Sequence, residues 1–125
     1  KGFELDLSYN FSKNSSSSSF SLGYSSLNDD SYVSNINYSK YSLNSIKNHF
    51  ISNLNLTYFK KITHSTIFKY VKRSDGSNYS VLDSKISFRS FFVNVNNILD
   101  VVYSETNLVP MPGKNVLLGF SYRIN

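Results

Sequence analysis

Residues 91–125 read FFVNVNNILDVVYSETNLVPMPGKNVLLGFSYRIN, and their pattern decides the fold class. Phe91, Val93 and Val95 alternate with Phe92, Asn94 and Asn96. A period of two marks a strand whose two faces meet different surroundings. Asn97-Ile98-Leu99-Asp100 then opens a long loop that leaves through Pro110-Met111-Pro112-Gly113. Two prolines and a glycine forbid regular pairing there and set up a return to extended chain. Beyond them Val116, Leu118, Phe120, Tyr122 and Ile124 share one side, with Asn115, Gly119, Ser121 and Arg123 on the other.

The same alternation runs back through the chain. A first strand over 2–11 sets Phe3, Leu5, Leu7, Tyr9 and Phe11 against Glu4, Asp6, Ser8 and Asn10. Lys13-Asn14 and a serine run form a short turn rather than a linker, because matching strands flank it. Further strands are expected over 17–26, 48–59, 62–71 and 79–88, before the pair over 91–96 and 116–124. Seven strands result. The fourth is the weakest, since His64 and Thr66 share the face of Ile62, Phe68 and Tyr70.

Composition narrows the classes. The chain has 125 residues, enough for one domain or part of one. It has no cysteine, which excludes disulfides, thiolate metal sites and a cysteine nucleophile within it. Ten tyrosines and ten phenylalanines favour strands over helices. No apolar run approaches the roughly 18 residues of a membrane helix, a limit that barrel strands escape because they alternate. Lys1-Gly2-Phe3-Glu4 has the character of mid-strand sequence, so Lys1 is not expected to be the native start.

Three regularities point to a membrane-spanning antiparallel β-barrel. Connections alternate between short (12–17, 60–61, 89–90) and long (27–47, 72–78, 98–115), as periplasmic turns and extracellular loops do. Glu4, Asp6, Lys69, Asp83, Lys85 and Arg123 all lie opposite the apolar face of their strands, on what would be a hydrated lumen. Tyr9, Phe11, Phe20, Tyr58, Phe88, Phe91 and Tyr122 gather near the short turns, and Phe3, Tyr24, Phe50 and Tyr70 near the other end. Two aromatic belts are what the two membrane interfaces select. A soluble antiparallel sandwich is the competing reading, since it alternates too. Seven is an odd number, and an open sheet would leave unpaired edges in hydrocarbon. The residues are therefore expected to be the last seven strands of a larger barrel.

The C-terminal segment resembles the end of TonB-dependent outer-membrane receptors. The matching elements are Asn97-Ile98-Leu99-Asp100, Tyr103-Ser104-Glu105, Pro110-Met111-Pro112-Gly113 and Leu118-Gly119-Phe120-Ser121-Tyr122-Arg123-Ile124. Two positions depart from that family: Ile98-Leu99 stands where it carries Leu-Phe, and Ile124-Asn125 where it ends on an aromatic read during barrel insertion. The resemblance implies a 22-stranded barrel with a plugged lumen. Residues 1–125 would be the C-terminal part of its barrel domain, with plug and earlier strands lying upstream. It implies an outer-membrane protein of a Gram-negative bacterium that binds a scarce solute (iron-siderophore, cobalamin, haem or glycan) and imports it with TonB-coupled energy. Its partners would be outer-membrane lipid, lipopolysaccharide, the small-molecule ligand, and the TonB complex through the upstream part. Other outer-membrane barrels, whether porin, adhesin, phospholipase or protease, form the alternative.

No enzyme motif stands out: neither G-x-S-x-G nor H-E-x-x-H spacing occurs, and no glycine-rich phosphate loop. No cofactor and no metal site is expected. Tyr32, Tyr38, Tyr41, Tyr103 and Glu105 are the candidate ligand contacts, because aromatic loop side chains offer large rigid contact area. The competing role for them is packing loop against loop. His49 has lumen parity, where a solvated wall residue outweighs a ligand contact, and Asp29-Asp30 reads as a solvated loop pair. The net charge of +5 raises nucleic acid as a partner. The cations instead lie in turns and loops, Lys13, Lys60, Lys61 and Arg89 at one end and Lys40, Lys47, Lys72, Arg73 and Lys114 at the other. That placement suits lipid head groups at two rims, and nucleic acid is not expected.

Overall fold

The structure, a computed structural model, describes residues 1–13, 16–28, 46–105 and 109–121. Seven strands follow one another: β1 (Gly2–Lys13), β2 (Ser16–Leu27), β3 (Ile46–Tyr58), β4 (Ile62–Arg73), β5 (Asn78–Phe88), β6 (Phe91–Asn96) and β7 (Asn115–Phe120). They make one antiparallel sheet in sequence order, so every connection joins neighbours. β1 and β7 form its two edges and do not pair with each other among the described residues. The all-β antiparallel architecture is present; the sheet is open.

The register carries the alternation of each strand across the whole sheet. Leu7 faces Leu22, which faces Ser52, then Phe68 and Leu82. Nearer the short turns, Tyr58, Ile62, Phe88, Phe91 and Phe120 form another row on the same face. Toward the far end Leu5, Tyr24, Phe50 and Tyr70 form a third. Glu4, Asp6, Lys69, Asp83 and Lys85 fall on the opposite face, where the strand parity put them. Arg123 lies outside the described residues.

Strand limits differ from the sequence reading at β4. It runs through Lys72 and Arg73, because Lys72 pairs with both Asn48 and Asn78. The Arg73 amide donates to Ser77 O at 2.9 Å, closing a short turn around Gly76 at φ 88°. Ser77 donates from its amide and its hydroxyl to Asp75 Oδ1. The connection expected over 72–78 is thus a tight turn over 74–77, and the length asymmetry rests on the other two long connections. Of those, 97–114 is described apart from 106–108, and 29–45 lies outside the described residues. So do 122–125, onto which the seventh strand was expected to extend.

The tight turns carry their own strain. Phe59, Lys60 and Arg89 have φ of 49°, 56° and 53°. Left-handed backbone costs a residue with a Cβ roughly 1–2 kcal/mol. Lys61 N closes the first turn by donating to Tyr58 O at 3.1 Å, and Arg89 N donates across to Lys61 O at 3.4 Å, tying the second turn to the first.

Burial is concentrated on one face of the sheet. Among the described residues the buried hydrophobic ones are Val71, Tyr79 and Val81, all on the polar-parity face, with Val101 and Tyr103 packed on them. The apolar face is uncovered: on the edge strands Phe3, Leu5, Leu7 and Tyr9 are 57–65% exposed and Leu118 78%, and in the middle of the sheet Leu22, Phe50, Phe68 and Leu82 are half-buried among their neighbours. Gly119 on β7 is required by Phe92, whose ring would lie 2.1 Å from a Cβ at that position. The same ring receives the Lys85 ammonium at 4.6 Å.

Candidate functional site, a loop clasped onto the polar face

The loop after β6 returns over the sheet, and two of its sequence elements meet to hold it. Asn97 is 2% exposed and adopts φ 50°, a conformation that asparagine tolerates better than most residues. Its amide N donates to Asp83 Oδ1 at 2.7 Å, and its Nδ2 donates to Val101 O and Pro112 O. Its Oδ1 accepts from Val101 N at 3.0 Å. Asp100 then accepts from Lys114 N at 2.8 Å, with Gly113 so close that a Cβ there would lie 3.0 Å from the carboxylate. The Asn97–Asp100 and Pro110–Gly113 elements therefore form one clasp at the loop's base. Asp83, Asn96, Asn97, Tyr103, Pro112 and Asn115 are among the residues lining a hollow of about 240 Å³ beside it.

Beyond the clasp, the loop is pinned by side chains from β4 and β5. The Tyr103 and Tyr79 rings stack with centroids 4.6 Å apart. Met111 N donates to Tyr103 O at 2.8 Å, and Ser104 bridges to Pro110. Lys69 Nζ forms an ion pair with Glu105 and lies 5.9 and 5.8 Å from the Tyr79 and Tyr103 ring centres. Arg73 donates to the carbonyls of Ser104 and Glu105, each at 2.7 Å. Burial holds the Tyr103 hydroxyl above the usual tyrosine range, against the opposing pull of Lys69. At the neighbouring turn, the bonds from Ser77 hold the Asp75 carboxyl below its ordinary value.

Two of the five expected contacts, Tyr103 and Glu105, thus come together in one cluster. Tyr32, Tyr38 and Tyr41 lie outside the described residues. The reading missed Lys69, Arg73, Tyr79 and Asn97. Arg73 was expected at a rim facing head groups; it is instead 6% exposed and spent on loop carbonyls. A signal existed, since Lys69, Val71 and Arg73 share one parity beside a tyrosine-led strand.

The histidines sit apart. His49 lies on the polar face with Glu4 and Asp6 around a hollow of about 200 Å³. His64, on the apolar face, has Nε2 2.9 Å from Ser84 Oγ and 3.1 Å from Thr66 Oγ1. Those bonds give an imidazole on an apolar wall its polar partners. A wider groove of about 620 Å³ at the short-turn end is lined mainly by Phe11, Leu56, Tyr58 and Phe59 and lies far from the charged cluster.

Fold and site together define an open antiparallel β-meander with one bare apolar face and a loop clasped to the polar one. No family model, no curated protein and no solved structure matches the chain.

Proposed function

We propose that this sheet is the C-terminal wall of a TonB-dependent outer-membrane receptor, and that the clasped loop contributes to its solute-binding surface. The observation that carries the reading is the bare apolar face. Apolar patches on soluble monomers rarely exceed a few hundred Å². Here six of the seven strands place exposed apolar side chains on one, and β4 adds the half-buried Ile62, Phe68 and Tyr70, while the charges of Glu4, Asp6, Lys69, Asp83 and Lys85 stand opposite. Lipid is the medium that makes such a face favourable.

The spacing of the aromatic rows supports it. Eight residues separate Ile62 from Tyr70, roughly 26 Å of strand at ~3.3 Å per residue. Tilted by ~35–45°, that span covers roughly 20 Å, close to the ~25 Å apolar band of outer-membrane barrels. The clasp adds to the resemblance, since the Asn97–Asp100 and Pro110–Gly113 elements that suggested the family contact each other. Both sheet edges would be paired in a closed barrel with further strands.

The test is the size, location and energetics of the native polypeptide. An antiserum to residues 101–115 should detect, in the outer-membrane fraction, a band several times heavier than 14.3 kDa. Solute uptake by that protein should stop when TonB is deleted or the proton gradient collapsed. A 14.3 kDa soluble band would refute the reading.

The pair formed by His64 and Ser84 favours a second reading, an outer-membrane hydrolase, because 2.9 Å is nucleophile-to-base reach. Among the described residues no carboxylate or amide bonds the imidazole to orient it. A fluorophosphonate adduct on Ser84 that disappears in His64→Ala would establish that reading instead.

A further inference from the structure

The serine run that opens β2 meets large apolar side chains without filling the space between them. The ladder between β2 and β3 stops at Ser19 and Asn55, although β2 stays paired to β1 as far as Ser16 and β3 to β4 as far as Tyr58. Continued register would have set Ser16 against Tyr58. The two hairpins part there, and Thr57 N donates to the Ser18 hydroxyl at 3.2 Å. The gap is the groove of about 620 Å³, in which Phe11, Leu56 and Tyr58 surround the small Ser16 and Ser18. Phe11, Leu56 and Tyr58 have the parity of the uncovered apolar face, so the groove opens on that face. At its end the chain turns through Phe59, 86% exposed, and Lys60, both of which line it. Lys61 follows, and Arg89 N bonds its carbonyl, so three cations share this rim. Among the described residues no carboxylate pairs with any of the three. An apolar slot with cations at its mouth complements a molecule with an apolar tail and an anionic head.

We propose that this groove binds one anionic phospholipid, with an acyl chain lying between the two hairpins and the phosphate held by Lys60 and Lys61. In the receptor reading the short turns stand at the head groups of the periplasmic leaflet, and the lipid is drawn from that leaflet. Its chain fills the space that Ser16 and Ser18 leave and covers Phe11, Leu56 and Tyr58. Neither half of the molecule suffices. A free phosphate has no tail for the groove, and a zwitterionic lipid brings a cation of its own against the lysines. The proposal rests on the receptor reading only in placing the apolar face in lipid.

The experiment titrates the intact protein, in detergent, with dioleoyl phosphatidylglycerol and reads the lipid retained per protein by native mass spectrometry. Dioleoyl phosphatidylcholine and glycerophosphoglycerol, a head group without chains, are the comparison probes. One phosphatidylglycerol should be retained, and Lys60→Gln should weaken its binding about fivefold. Ser16→Trp, which fills the groove and keeps the cations, should weaken it by about tenfold or more. Heat-dependent gel mobility checks that each variant is folded. If Ser16→Trp fails to fold, Lys60→Gln and the two comparison probes still decide. Phosphatidylglycerol held as tightly by Lys60→Gln as by the native protein, or no more tightly than phosphatidylcholine, overturns the proposal. So does unchanged retention in Ser16→Trp, or glycerophosphoglycerol competing as well as the whole lipid. Recovery as a lipid-free dimer would put a second copy in the groove and overturn it too. The receptor reading fails separately: lipid retained as expected but no TonB-dependent uptake of any solute would sink the receptor alone. Such uptake by a protein that retains no phosphatidylglycerol would sink only the lipid site.

Discussion

Placing a lysine at successive apolar positions of β1 separates a lipid-facing wall from a water-facing one. Phe3, Leu5, Leu7, Tyr9 and Phe11 are 57, 58, 59, 65 and 40% exposed on the open sheet. In water, such exposed positions respond nearly alike, within ~0.5 kcal/mol. Lipid imposes a depth profile. Leu7 lies midway along Gly2–Lys13, and Phe3 and Phe11 are four residues to either side, about 13 Å of strand or ~10 Å of depth after tilt. Leu7→Lys should therefore cost about 2–4 kcal/mol and Phe3→Lys about 0–1 kcal/mol. Ser8→Lys, on the hydrated face, should be near neutral. The assay is equilibrium unfolding of the intact protein from lipid vesicles in denaturant, read by heat-dependent gel mobility. A flat profile, with Leu7→Lys within error of Ser8→Lys, would refute the reasoning.

Three further outcomes follow from the loop and its supports. Asn97→Ala leaves the loop carbonyls unpaired and puts alanine in left-handed backbone, so it should cost about 1–3 kcal/mol. Asn97→Gly relieves only the backbone part, and amide exchange over 97–105 should rise in both variants, more in the alanine one. Gly119→Ala forces the Phe92 ring off the sheet and away from Lys85; it should destabilise by about 1–3 kcal/mol and be partly rescued by Phe92→Ala, as thermal unfolding would show. The Tyr103 hydroxyl has a raised pKa, so its contribution to loop docking is complete below the usual tyrosine value of about 10 and is lost as pH rises through its own higher one. Tyrosinate absorbance should lose a late-titrating component in Tyr103→Phe; an unchanged titration would contradict this.

The sheet was legible in the sequence because alternation is a local signal and each strand states it independently. Phe3-x-Leu5-x-Leu7-x-Tyr9-x-Phe11 needs no knowledge of its partners to be read. Closure is another matter, since it depends on edges that local alternation does not address. The turn at 74–77 was overestimated because Lys72, Arg73 and Asn78 are loop-like in composition, while their backbones are drawn into the ladder by pairing across β3, β4 and β5. The candidate site was half legible. Tyr103 and Glu105 were reachable as aromatic and charged loop residues. Lys69 and Tyr79 carried only the signal of shared parity, because nothing local tells that the loop bearing Tyr103 and Glu105 folds onto them. Asn97 was read only as part of a motif; its buried bonding role emerges from the meeting of 97–100 with 112–114.

The measurement that bears most directly on the central claim is a spin-label accessibility scan. The chain has no cysteine, so single cysteines introduced along β5 and β6 report without background from these residues. In native outer membranes, labels at Leu82, Ile86 and Val93 should be relaxed by dissolved oxygen and shielded from a water-soluble nickel chelate. Labels at Asp83, Lys85 and Asn94 should show the reverse. If both sets were reached equally by the nickel chelate, the apolar face would not be in lipid, and the barrel-wall account would be contradicted.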